Sequence, residues 1–223
     1  MATSPALIEA VVAMTGETKA SVSVTLSRLR KARLIPVGGR GLYAIPMDAE
    51  AAMRLLIAVC AAVPLEPDSA PNAVARFERL PSHPPSIEPE ESKKAAKSIV
   101  MPIDELSRNH TFGQALKRLI DAGGKDELFT YLDGPRGRRK KGYQTPEIRG
   151  FLKIQFMLPI PQARIEHQFG AWLRKTWVYG LEQIDFERYN SACRSIGLGD
   201  RGRLISVSEA TIEEVGKAIG LVA

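Results

Sequence analysis

From Ser4 to Ala62 the apolar positions recur mostly every three or four residues, the period of a helix. Ser4-Pro5 opens the first run. Serine suits a helix cap, and proline suits the first helical position, where no amide donor is needed. Leu7, Val11 and Met14 form the stripe of this helix, and Thr15-Gly16 stops it, glycine being the residue that turns left-handed most readily. A second helix is predicted over Lys19–Arg33, with Val22, Leu26, Leu29 and the stem of Arg33 on one narrow apolar face. The pattern then changes. Leu34-Ile35-Pro36-Val37 and Leu42-Tyr43-Ala44-Ile45 flank Gly38-Gly39-Arg40-Gly41, which predicts a β-hairpin with its tip at the glycines. Asp48 caps a third helix, Ala49 to about Ala62, whose Met53, Leu56, Ile57 and Cys60 face inward.

Between Val63 and Lys97 the periodicity lapses. This stretch holds seven of the fifteen prolines and many charges, and proline both fixes φ and removes a backbone donor. Residues 63–97 therefore read as a linker, with room for a short helical turn around Asn72–Leu80. Loops of this length are uncommon inside one compact domain, so two folded parts are expected, 1–62 and 98–223.

Beyond the linker the pattern mixes both periods. Ser98–Ile103 reads as a short strand. Thr111-Phe112-Gly113-Gln114 is a capping box before a helix with Leu116, Leu119 and Ile120 inward. Leu152, Ile154, Phe156 and Leu158 alternate with Lys153, Gln155 and Met157, as do Ala163, Ile165 and His167 with Arg164 and Glu166, predicting two strands. Trp172–Tyr179 suits a third strand, and Ser206–Glu209 suits the cap of a final helix lined by Ile212, Val215 and Ile219. The expected fold class is α+β: a helical module with a hairpin, a Pro-rich linker, and an α+β domain around a small antiparallel sheet.

Composition adds limits. Hydrophobic residues make up 44% and aromatics 6%, so a core is affordable and mostly aliphatic. Cys60 and Cys193 form no CxxC pair, and His83, His110 and His167 have no zinc spacing, so no metal or cofactor is expected. No basic region precedes the apolar N-terminal residues, and the longest apolar stretch is too short to span a bilayer, so a cytoplasmic protein off the membrane is expected. The net charge is +6. Seven Lys/Arg against four Asp/Glu give residues 1–62 a net +3, and nineteen against fifteen give 98–223 a net +4, while the linker is near neutral. Both expected folded parts suit anionic partners.

Opposite the apolar stripe of the second helix lie Ala20, Ser21, Ser23, Val24, Ser27, Arg28 and Lys31. Two readings stand for this face. One is a solvated surface that happens to be basic. In the other, short side chains let the helix enter a groove, hydroxyls bond phosphates or base edges, and arginine grips guanine or phosphate through two bonds. The run TGETKASVSVTLSRLRKARLIPVGGRGLYAI resembles the winged helix-turn-helix family of bacterial and phage regulators. The turn is Thr15-Gly16, the helix ends in Leu29-Arg30 before Leu34-Ile35, and Val37–Leu42 corresponds to the wing. Where that family often has glycine before the final Leu-Ile, this chain has Arg33, and two helices fit ahead of the wing where the family usually has three. The resemblance covers residues 4–62. It implies double-stranded DNA as partner, with Lys19, Ser21, Ser23, Ser27, Arg28 and Lys31 as helix contacts and Arg40 as the wing contact.

A second basic feature is the segment Asp133–Tyr143, in which Arg136, Arg138, Arg139, Lys140 and Lys141 crowd together between glycines and a proline. It reads either as a solvated loop or as a second phosphate contact. Phosphate-binding GxxxxGK[ST], HExxH and GxSxG motifs are missing, and no enzyme is expected. The leading expectation is a sequence-specific regulator of repressor type, acting as a homodimer because one short helix rarely supplies enough affinity. The alternative is a DNA-recognition subunit similar to phage small terminases.

Overall fold

The computed structural model describes residues 4–37, 46–62, 68–88, 100–125, 127–132, 150–158, 160–169, 173–180 and 203–219. Seven α-helices and five strands lie among them: α1 Ser4–Thr15, α2 Lys19–Lys31, α3 Ala49–Ala61, α4 Ser69–Phe77, β1 Ser86–Glu88, α5 Phe112–Gly124, α6 Glu127–Leu132, β2 Gly150–Leu158, β3 Gln162–Phe169, β4 Leu173–Gly180, β5 Arg203–Ser208 and α7 Glu209–Ala218. The fold is α+β, and its sheet is wholly antiparallel in the order β1-β4-β3-β2-β5.

Local chemistry explains several helix ends. Thr18 accepts the amide of Ser21 at 3.1 Å to start α2, and Asp48 accepts that of Ala51 at 2.8 Å to start α3. Thr111 and Gln114 make the reciprocal capping box of α5, at 3.4 and 2.8 Å. Gly16 ends α1 at φ +73°, a conformation that costs glycine little.

The end of α2 departs from expectation. The helix stops at Lys31, and Arg33 lies outside it, exposed and left-handed at φ +59°. The amide of Leu34 reaches the carbonyl of Leu29, and the amide of Arg33 reaches that of Arg30, each at 3.0 Å. These two bonds make a Schellman closure, which usually places glycine where Arg33 stands. Its stem therefore does not extend the apolar stripe, which consists of buried Val22, Leu26 and Leu29.

Within 63–97, the stretch whose prolines predict a linker, residues 69–88 carry core structure. In α4, Ala70, Ala73, Val74 and Phe77 form a buried helical stripe. Pro71 falls in the first turn, where an amide has no intrahelical partner to lose. Phe77 is fully buried, 5.7 Å from the ring of Phe156 and 6.4 Å from that of Phe112; Phe112 in turn meets Phe156 at 5.5 Å and Tyr179 at 5.3 Å. Such offset and edge-on ring pairs each contribute about 0.5–1.5 kcal/mol beyond the area they bury. The chain then follows the edge of β4, through Ser82 opposite Tyr179, into β1.

This packing explains why α3 is apolar nearly all round. A helix with one solvent face needs one stripe, whereas α3 buries ten of its thirteen residues. It touches α1, α2, α4, α5, α7 and β2. At the other end of the core, α7 lies between α1 and α5. Glycines set its approach to α5: a Cβ on Gly216 would lie 2.4 Å from the amide nitrogen of Gly124, and one on Gly123 would lie 2.9 Å from the carbonyl of Ile212. A single cluster of buried side chains consequently runs from Leu7 to Ile219.

Two smaller expectations also change. Residues 102–105 form a 3-10 turn instead of continuing a strand, since Pro102 cannot donate to a ladder and Asp104 accepts the amide of Met101 at 2.9 Å. Ser206 lies in β5, opposite Gln155, and α7 begins at Glu209. The alternation of Ile205 and Val207 with Leu204, Ser206 and Ser208 is the strand signal there.

Candidate nucleic-acid interface

Helices α1 and α2 are joined by only three residues, Gly16–Thr18. With Val22, Leu26 and Leu29 turned into the core, helical geometry sends the opposite side of α2 to solvent. Ala20, Ser21, Val24, Ser27 and Lys31 are exposed there, and Arg28 and Ser23 are partly exposed. No side chain on this face except Val24 and the two cations is longer than a hydroxymethyl group.

The expected contact residues divide into three groups. Ser21, Ser27, Arg28 and Lys31 share the outer face with Val24. Ser23 and Lys19 sit on its flanks, and Lys19 pairs with Glu9 of α1 at 3.2 Å in an exposed ion pair. Arg40, on the expected wing, and Arg136, Arg138, Arg139, Lys140 and Lys141 lie outside the described residues.

Arg30 belongs to a different surface. It stands in the same turn as Arg28 and Lys31, but its guanidinium turns to α1 and donates to the hydroxyl of Ser4 at 2.5 Å. Its Nε is buried with no hydrogen-bond partner among the described residues. Three cations in the last turn also suit the negative end of the helix dipole, which is the structural contribution of this cluster.

The exit from α2 is anchored from the core. Arg54 of α3 donates Nη1 to the carbonyl of Leu34 at 2.8 Å. Its Nε and Nη2 meet the two carboxylate oxygens of Glu78 at 3.2 and 3.0 Å, and Nη2 also meets Glu50 at 2.7 Å. The bond to Glu78, with the nearby Glu50 and Asp48 charges, holds the Arg54 guanidinium above its ordinary range despite partial burial. In the sequence only Glu50, four residues before it, signals this arginine; Glu78 lies in the segment that reads as linker, and the Leu34 partner is a backbone carbonyl.

Of the titratable groups under the sheet, His110, Tyr179, Lys175 and Asp104 have structural partners. His110 donates Nδ1–H to the carbonyl of Ser107 at 2.7 Å, which leaves Nε2 to accept from the Tyr179 hydroxyl at 3.0 Å. Burial raises the Tyr179 phenol well above its ordinary range. Lys175 places Nζ 2.7 and 2.8 Å from the two oxygens of Asp104 and 4.9 Å from the centre of the Trp177 ring. His167, opposite Lys175 in the sheet, is buried against Gly150; desolvation, with the Lys175 charge adding to it, depresses its pKa to about 4. Its Nε2 has no hydrogen-bond partner among the described residues.

Among the described residues no cluster of His, Cys, Asp and Glu has metal-holding geometry, and no helix is long and apolar enough to cross a membrane. Comparison of the chain with family models, with curated proteins and with solved structures finds no match.

Proposed function

We propose that the protein is a sequence-specific double-stranded DNA-binding regulator that inserts α2 into the major groove. The observation that carries this reading is the outer face of α2: Ser21, Ser27, Arg28 and Lys31 exposed or partly exposed on one side of a helix whose opposite side is locked into the core. Hydroxyls and an arginine on a rigid helix suit base-edge and phosphate recognition, and a three-residue turn after α1 suits a helix-turn-helix. Arg40, on the expected wing Val37–Leu42, would contact the flanking backbone. The basic run Arg136–Lys141 would add sequence-independent affinity. Action as a homodimer would place two α2 helices on paired half-sites.

Selection of binding duplexes from a random pool by the purified full chain tests this. Enrichment of one palindromic or directly repeated sequence is the expected result. Arg28→Ala should then relax preference within that site at a cost of about 1–3 kcal/mol. Arg40→Ala should weaken all sequences alike and lower the salt slope by about one unit. Failure to bind any duplex at low ionic strength would reject the reading.

A further inference from the structure

We infer that Val24 reads the 5-methyl group of a thymine in the DNA site, an inference that rests on the proposed docking of α2 in the major groove. Val24 is 50% exposed on the solvent side of a helix whose apolar requirement is already met by Val22, Leu26 and Leu29. It is central on that side. Ala20 and Ser21 lie one turn before it, Ser27 and Arg28 one turn after it, and Lys31 a turn beyond.

Those neighbours determine what Val24 can touch. Ala20, Ser21 and Ser27 are too short to hold the helix away from a groove floor, so the branched methyls of Val24 stand foremost between them. A β-branched side chain in a helix keeps one dominant χ1 rotamer, so docking it loses little conformational entropy. In the major groove guanine and adenine present donors and acceptors, cytosine an amino donor beside a bare C5–H, and thymine alone a methyl group. Valine set against any of the other three would strip water from a polar edge without replacing its hydrogen bonds. Against thymine it buries methyl on methyl. Arg28 and Lys31, one and two turns along the same side, supply the grip on guanine or phosphate that fixes register.

The experiment uses the duplex enriched by full-length protein from the random pool, resynthesised with deoxyuridine replacing thymidine one position at a time. This replacement deletes only the methyl group. Wild-type protein should bind about three- to fivefold more weakly at one thymine per half-site, the effect of losing one buried methyl. Val24→Ala, which keeps a good helix former on an exposed position, should bind the thymine and uracil duplexes equally at that position. Circular dichroism of the variant should match wild type. Wild-type binding indifferent to uracil at every position, or a uracil penalty undiminished in Val24→Ala, overturns the inference while leaving the DNA-binding reading intact. Failure of the pool to enrich any duplex overturns both.

Discussion

Arg54 meets both carboxylate oxygens of Glu78, at 3.2 and 3.0 Å, while the same guanidinium holds the carbonyl of Leu34 at 2.8 Å. One side chain thereby ties the centre of α3 to the end of α4 and to the exit of the proposed recognition helix. Arg54→Met and Glu78→Gln should each destabilise the protein. Their double-mutant cycle should show a coupling of about 1–2 kcal/mol by denaturant unfolding, since the pair is bidentate and mostly shielded from water. Additive single effects would mean that the contact carries no coupling energy.

Arg33 occupies a left-handed position that L-residues enter at a cost of about 1–2 kcal/mol, and glycine enters nearly freely. Its side chain is exposed. Arg33→Gly should therefore stabilise the fold by about 0.5–1 kcal/mol, the gain being reduced by the greater freedom of glycine in the unfolded chain. A thermal scan should show Tm rising by a few degrees. A fall in Tm would show that the arginine side chain offsets its backbone strain.

Phe77 tests the role of α4. Its ring joins those of Phe112 and Phe156, so Phe77→Ala should cost about 3–5 kcal/mol in urea unfolding. If residues 69–77 were linker, the same change would leave the midpoint nearly unmoved.

His167 makes stability depend on acid. It titrates near 6.5 when solvated and near 4 in the folded protein, because burial penalises the charged ring and Lys175 repels it, with Asp104 opposing in part. Below pH 6.5 the unfolded chain takes up this proton and the folded chain does not. Stability should be fully present above pH 6.5 and be lost as pH falls toward 4, by about 3 kcal/mol from this group. His167→Gln should flatten that part of the stability profile; an unchanged slope would assign it elsewhere.

Much of the local structure was legible along the chain. Capping residues, Gly16 and the apolar stripes marked α1, α2 and α3 to within a residue or two and placed the start of α5, because a helix end is decided by hydrogen bonds only a few residues apart. The outer face of α2 was legible for a related reason: once Val22, Leu26 and Leu29 are inward, the helical period assigns every other side chain. That period also set Arg28 apart from Arg30, but the contact of Arg30 with Ser4, twenty-six residues away, is not written in it.

The class of fold, the inward faces of β2 and β3 and the chemical character of α2 are thus written in the local pattern of residues. What the proline-rich stretch does follows from packing between distant parts of the chain. Its prolines signal an irregular backbone but carry no information about burial, and only the aromatic cluster beneath the sheet makes Phe77 a core residue. Tertiary structure also decided that α7 nests between α1 and α5, because a glycine contact such as Gly216 on Gly124 is a matter of missing atoms on two distant helices. Local hydrogen bonding is written in neighbouring residues; shared burial is settled only when distant surfaces meet.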